Sequence, residues 1–418
     1  MDTARPVILG YDAVSPLGTT LEQQWEAAER GDSGIAALTR FPLGETFPVR
    51  VAGQVPEIDT APYPFLSPRA LAHWKSPVFA HALLVTHRAL ERAGLEITPE
   101  IAPRVAITMS TAIGGLDAVI GADRRFVAEG KLPHPFDNPN SCINMIGGKV
   151  SILTGATGPI ATTITACATG NTSMIIGSMY LAMGMADVAI CGAVDFPLVE
   201  PIVGGFATMQ GAYQQRDRDP PQDPRRASRP FSLGRRGFVV SEGAAAIIIA
   251  TREFADAHGL PYAAEIAGWA TTADAHHFVA PHPPEVGRCV RETIAHAGLA
   301  PGDIDAINGH AASTRVGDAV EVQVLREVFE EPGRIPPVSA NKSQIGHAMG
   351  ASSAVESVFA LESLRRATLL PTINYEPDPE LELDCVAEGA RPLTHEHVLK
   401  NAFGFGGCNA CLVFRRLA

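Results

Sequence analysis

The sequence predicts an α/β fold made of two related halves, on three observations. Short apolar, β-branched runs alternate with helical patterns along the whole chain, the signature of strands joined by helices in mostly parallel sheets. The chain has 418 residues, 46% of them hydrophobic, which suffices for two domains or one large duplicated one. Finally, the stretch Ile164-Thr-Ala-Cys-Ala-Thr-Gly before a helix has a faint echo in Val338-Ser-Ala-Asn-Lys-Ser-Gln-Ile-Gly-His before another helix. These place a join near residue 260, with halves of 1–260 and 261–418.

In order, Pro6 to Leu9 reads as a strand and Leu21 to Arg30 as a helix after a Leu17-Gly18-Thr19 turn. Phe41 to Pro64 is irregular and studded with prolines. Phe79 to Ala93 is helical by period, with Phe79, Leu83, Ala89 and Leu90 on one face. Val105 to Met109 is a strand running into Ala112-Ile113-Gly114-Gly115, where glycine lets backbone approach a neighbour or ligand. Helices follow at Asp117 to Glu129 and Asn144 to Leu153. Ile160 to Ile164 has strand composition, and Met174 to Met183 is apolar on nearly every side, hence a buried helix. Asp187 to Cys191 is a strand ending in Gly192-Ala193-Val194-Asp195.

Tyr213 to Pro230 is polar and carries Arg216, Arg218, Arg225, Arg226 and Arg229. It reads as a solvated surface loop or, alternatively, as a docking patch for an acidic protein. Strand Gly243 to Ala250 and a short helix Arg252 to Ala257 close the first half. The second half reads strand Ala263 to Ala270, helix Val286 to Ala297, strand Ile304 to Asn308, helix Asp318 to Phe329, strand Pro337 to Ala340 and helix Ala348 to Arg365. A glycine loop and an apolar strand, Ala402 to Phe414, end it.

Net charge is −12, which argues against a nucleic-acid binder and against adsorption to an anionic membrane. The 7 cysteines are odd in number and scattered, which fits reduced thiols in the cytoplasm. The start is not a signal peptide. The most apolar region, Ala186 to Met209, is broken by Asp187, Asp195, Glu200 and prolines, so it is no membrane span.

Cys167 falls on a strand-to-helix turn. By default a cysteine there is inert packing. At a helix N-terminus, however, free N–H groups and the dipole lower a thiol pKa and favour the thiolate nucleophile. His310, in Asn308-Gly-His-Ala-Ala-Ser-Thr, and His347, in Lys342-Ser-Gln-Ile-Gly-His, each follow a strand, where α/β folds place their chemistry. The helix start and nearby Lys342 disfavour imidazolium, so His347 should stay neutral and stabilise an enolate or carbonyl oxygen. Gly404-Phe405-Gly406-Gly407 offers backbone N–H groups for an oxyanion hole with Cys167, or is simply a tight turn. Asp274, His276, His277 and His282 flank Pro281 on a loop and are not read as a metal site.

Together these motifs resemble the β-ketoacyl-acyl-carrier-protein synthases of the elongating Cys-His-His type, in the thiolase superfamily. Thr165-Ala-Cys-Ala-Thr-Gly, the two histidine motifs with Glu356, Asn401-Ala-Phe-Gly-Phe-Gly-Gly, Arg229-Pro-Phe and Gly237-Phe-Val-Val-Ser-Glu-Gly carry the likeness. The resemblance implies the thiolase-like fold, duplicated βα halves in five αβαβα layers. It implies that Cys167 takes an acyl chain from acyl carrier protein and that His310 and His347 assist decarboxylation of malonyl on a second carrier. Cys167 and Phe405 match the oxyanion hole, and Lys342 with Glu356 the supporting charged pair. Ile113 matches a residue limiting the acyl tunnel, and Phe405 also the gate admitting the second substrate. Thr314, Phe403 and His277 match substrate-binding positions.

No cofactor or metal is implied beyond the carrier's phosphopantetheine. The partners implied are acyl carrier protein and a second subunit, as a homodimer or as a heterodimer with a related ketosynthase-like chain. Ala312, Ser232 and Cys408 depart from the commoner residues, which points to specialised polyketide or polyene assembly over housekeeping fatty-acid synthesis. Alternative readings are a chain-length-setting or priming subunit of a heterodimeric ketosynthase and a coenzyme-A-dependent thiolase.

Overall fold

The computed structural model describes residues 5–215, 223–330 and 334–417. Arg216 and Arg218 lie outside the described residues. Nine strands form the main sheet: β1 Val7–Val14, β2 Val105–Ile107, β3 Val188–Asp195, β4 Gly243–Ala250, β5 Ala264–Ala273, β6 Ala306–Asn308, β7 Val338–Ser339, β8 His397–Gly404 and β9 Cys408–Arg416. Their order is β2-β3-β4-β1-β5-β9-β8-β6-β7. At the centre, β1 and β5 pair through two residue pairs, Val7–Glu265 and Ile8–Ala264. Longer ladders run on either side of that narrow join.

Five neighbouring pairs are antiparallel and three parallel, where mostly parallel pairing was expected. Alternation of strand and helix reports a crossover but not a returning hairpin. The Gly404 to Gly407 loop sends the chain straight back, so β8 and β9 run antiparallel. Ile160 to Ile164 is not a strand. Ile160 alone bridges Ile107, in parallel, and among the described residues no strand pairs with the far side of this edge.

Among the described residues the longer helices are α1 Pro77–Ala93, α2 Leu116–Glu129, α3 Asn144–Thr154, α4 Thr169–Ala182, α5 Pro283–His296, α6 Arg315–Val328 and α7 Gly350–Arg366, and all but the mostly exposed α2 pack on the sheet. Side chains alternate across a strand, and here each side has a core to enter. In β4, Ala245, Ile247 and Ile249 join a central cluster with Met174 of α4 and Val355 of α7. Ala244, Ala246 and Ile248 turn the other way, onto Phe79 and Leu83 of α1. In β9, Leu412 and Phe414 face the centre while Cys411 and Val413 pack against α5 and α6. The layers are therefore α1 and α3, sheet, α4 and α7, sheet, α5 and α6, the five expected.

Every residue of α7 from Gly350 to Leu364 is buried. A helix enclosed on all sides must pair its polar groups. Ser353 Oγ accepts the Gly170 N–H at 2.9 Å, and Ser357 Oγ donates to Ser353 O at 2.7 Å. α4 departs from all-round burial at its far end, where Met179 and Met183 are exposed.

Candidate active site

Cys167 sits in a short 3-10 turn, Ala166–Ala168, from which α4 continues at Thr169. Ala166 has φ +48°, a left-handed conformation that costs a non-glycine residue about 1–3 kcal/mol. Neighbours pin it. Thr165 N donates to Thr169 Oγ1 at 3.0 Å, and that hydroxyl donates to Ala166 O at 2.7 Å. The strain sets the buried sulfur between two elements of the other half.

From one side comes the β8–β9 loop, whose Phe405 N–H, together with the N–H of Cys167 itself, favours the charged form of the sulfur. Gly404 permits the approach, since a Cβ there would lie 2.4 Å from Thr165 O and 3.2 Å from Cys167 N. From the other side comes His347, with Nε2 3.1 Å from Cys167 Sγ. His347 Nδ1 lies 2.8 Å from Ser352 Oγ, and that oxygen accepts the Ala348 N–H at 2.7 Å. The hydroxyl's own hydrogen is then available for Nδ1, which puts the imidazole hydrogen on Nε2, facing the sulfur.

Burial pushes the Cys167 thiol up to about 11, with Lys342 and the Phe405 N–H pulling it back and Asp195 adding to the rise. The expected lowering is thereby corrected. A helix N-terminus is worth about 0.3–1 kcal/mol, up to about 2 when partly buried, and losing water around a thiolate outweighs it. Burial also holds His347 and His310 well below the ordinary histidine range, reinforced for both by Lys342 and Lys400. Both imidazoles are neutral.

The His310 ring meets His347 edge-on, centroids 5.8 Å apart, and packs on Phe403 at 5.6 Å. Its backbone is gripped at both ends. Glu321 accepts its N–H at 2.8 Å, and Lys342 Nζ donates to its carbonyl at 2.6 Å. Lys342 pairs with Glu356 Oε1 at 2.6 Å, both buried.

One cavity of about 630 Å³ holds Cys167, His310, His347 and Phe405 together, and Phe403, Thr314 and His277 line it too. Thr314 caps α6, accepting the Gly317 N–H. His277 Nδ1 accepts from Val279 N and Ala280 N, each at 3.1 Å, so its hydrogen is on Nε2. Ile113 is outside this lining. It packs in an apolar cluster with Phe405 and Met349, and its N–H is held by Asp195 Oδ1 at 2.8 Å. Asp274 accepts from Asn409 Nδ2 and His282 N, while His276 stacks on His282.

Four residues of the site escaped the sequence reading: Ser352, Glu321, Asp195 and Lys400. Ser352 and Glu321 lie within the helices read at Ala348 to Arg365 and Asp318 to Phe329, where nothing in the spacing marks them out. Asp195 ends an apolar strand and binds the Thr111 hydroxyl and three N–H groups, of Ala112, Ile113 and Ala351. Lys400 left no trace, because a lysine in a strand ordinarily marks an edge.

Fold and cavity together define a class, the condensing acyltransferases of thiolase-like fold. Residues 4–255 match the β-ketoacyl synthase N-terminal domain and residues 263–376 its C-terminal domain. The chain belongs to the β-ketoacyl synthase family. It is 35% identical to 3-oxoacyl-[acyl-carrier-protein] synthase 2 of Coxiella burnetii, with 100% of each chain covered. It superposes on a type II PKS ketosynthase, solved in complex with its acyl-carrier protein, at TM-score 0.90 and 26% identity. On the ishigamide ketosynthase/chain length factor the values are 0.89 and 26%. In both cases 100% of each chain is covered. Among the described residues no helix is long and apolar enough to cross a membrane.

Proposed function

We propose that this protein is a β-ketoacyl-acyl-carrier-protein synthase that elongates an acyl chain held on Cys167. The observation that carries the reading is the 3.1 Å approach of His347 Nε2 to Cys167 Sγ, in a cavity that also admits His310 and the Phe405 N–H. In the first half-reaction the sulfur attacks the acyl thioester of a carrier. The N–H groups of Cys167 and Phe405 hold the oxyanion, and the thiol proton leaves with the carrier thiol.

In the second half-reaction malonyl on another carrier loses carbon dioxide. Its thioester oxygen becomes an enolate, stabilised by hydrogen bonds from the neutral His310 and His347. The enolate carbon attacks the Cys167 thioester and expels the thiolate, which regains a proton from solvent. The product is a 3-ketoacyl chain longer by two carbons. Loss of carbon dioxide drives the step, so no strong base is needed. Bringing two prosthetic arms into one cavity supplies proximity. Lys342 and Glu356 hold the His310 loop, Thr314, Phe403 and His277 line the substrate path, Ile113 limits the acyl tunnel, and Phe405 gates entry of the second substrate.

The substrate is a specialised chain of polyketide or polyene type, a reading supported by Ala312, Ser232 and Cys408 and by the likeness to a type II PKS ketosynthase. We read residues 1–260 and 261–418 as the two repeats. The acting form includes a second subunit, either this chain again or a related ketosynthase-like one, and works in the cytoplasm. Arg225, Arg226 and Arg229 are the basic groups offered to an acidic carrier. Arg225 is paired with Asp223 and Arg229 with Glu376, so Arg226 makes the larger contribution.

Intact-mass measurement after incubation with an acyl carrier thioester tests the core of this reading. The acyl mass is expected on Cys167. Cys167→Ala is expected to lose condensation and keep decarboxylation of labelled malonyl carrier, and His310→Ala and His347→Ala each to lose decarboxylation. Elongation by Cys167→Ala would overturn the assignment.

A further inference from the structure

Lys400 is fully buried in β8. Its strand neighbours on the same face, Val398 and Ala402, belong to the apolar central cluster. An ammonium there is costly unless paired and hydrogen-bonded. It is both. Lys400 Nζ lies 2.7 Å from Glu356 Oε2 and donates to Asn401 O at 2.8 Å.

These contacts close a ring. Glu356 bridges Lys400 and Lys342, Lys342 holds the His310 carbonyl, and Glu321 holds the His310 N–H. Glu321 also accepts Asn401 Nδ2 at 3.1 Å, and the Asn401 carbonyl returns to Lys400. Two cations and two carboxylates balance, and the His310 backbone is one link of the circuit.

We propose that Lys400 is a positioning residue for the condensation: its ammonium closes the ring that clamps His310 and keeps a fixed positive charge behind both imidazoles. This rests on the functional reading above. Glu356 is already paired with Lys342, so a second cation is unnecessary to neutralise it alone. What Lys400 adds is the link to Asn401 and a charge that opposes imidazolium. Lys342 bears on both rings from the same side, Glu356 of α7 and Glu321 of α6 hold the clamp, and Cys167, His277, Arg236 and Arg315 share the cavity with them.

The test is the pH profile of malonyl-carrier decarboxylation in Lys400→Gln and Lys400→Arg. Glutamine keeps hydrogen-bonding capacity without charge and leaves Glu356 paired, so the fold is retained. Losing one positive charge at several ångströms, at an effective dielectric near 20, is expected to move the acid limb up by about one pH unit. The KM for malonyl carrier is expected to stay and kcat to fall. Arginine is expected to leave the acid limb in place. An unmoved acid limb in Lys400→Gln, or an equal shift in Lys400→Arg, overturns the proposal. Acylation of Cys167, read by mass in the same preparations, separates the two claims. Absence of acylation in the unaltered protein sinks the functional reading, whereas normal acylation with an unmoved limb sinks this one alone.

Discussion

His310 and His347 were legible because each follows a strand in a run of small residues, and Cys167 because it sits in such a run just before a helix. Their protonation was legible only in part. A neutral His347 follows from a helix start and a nearby lysine, both visible in the sequence. The thiol pKa does not, because its largest cause is the depth of the site, which three-dimensional packing alone reveals. The consequence is measurable. Thiolate is the reactive form, and a group pushed up to about 11 gains thiolate steadily as pH rises. Iodoacetamide labelling of Cys167, followed by peptide mass, is expected to accelerate through pH 9 without levelling. A plateau below pH 8 would mean that local donors outweigh burial.

Helices and strands were mostly found, with ends displaced by a few residues. Their direction of pairing was not, since hairpin and crossover differ in where a chain returns and not in its composition. The edge segment at Ile160 carries strand residues but pairs with Ile107 through a single bridge, so composition misled there. The β8–β9 turn offers a test at this scale. Gly404→Ala forces a Cβ against Thr165 O, and the loop can relieve that only by withdrawing the Phe405 N–H. Losing one oxyanion donor lowers turnover by roughly 10²–10³-fold. Acyl transfer to Cys167 is expected to fall by that order while the thermal midpoint changes little. Unchanged transfer kinetics would remove Phe405 N–H from the mechanism.

Across the molecule, duplication was faintly legible. The shared small-residue turn and buried helix place α4 and α7 side by side, close enough that a Cβ on Gly170 would meet Ala354 N at 2.4 Å. Less legible was the distribution of exposed apolar side chains. Phe126, Val127, Leu132, Ile152, Ile160 and Ile164 are all exposed, with Val127 at 77% and Leu132 at 83%. A sheet edge with an unpaired side and this many apolar groups marks an interaction face. The double variant Val127→Asp, Leu132→Asp is expected to shift the light-scattering mass from two subunits toward one. A mass of one subunit for the unaltered protein would rule out self-pairing and leave a related ketosynthase-like chain as the second subunit.

The enclosure of α7 bears on how this enzyme can be diversified. His347 stands just before that helix, Glu356 lies within it, and solvent touches almost none of it. Such a part tolerates little editing, so new product lengths must be sought elsewhere. Met209, Gln210, Val279 and Pro281 border the same chamber without joining its chemistry. Libraries drawn from those four positions should alter which chains are accepted while the bond-forming apparatus stays intact.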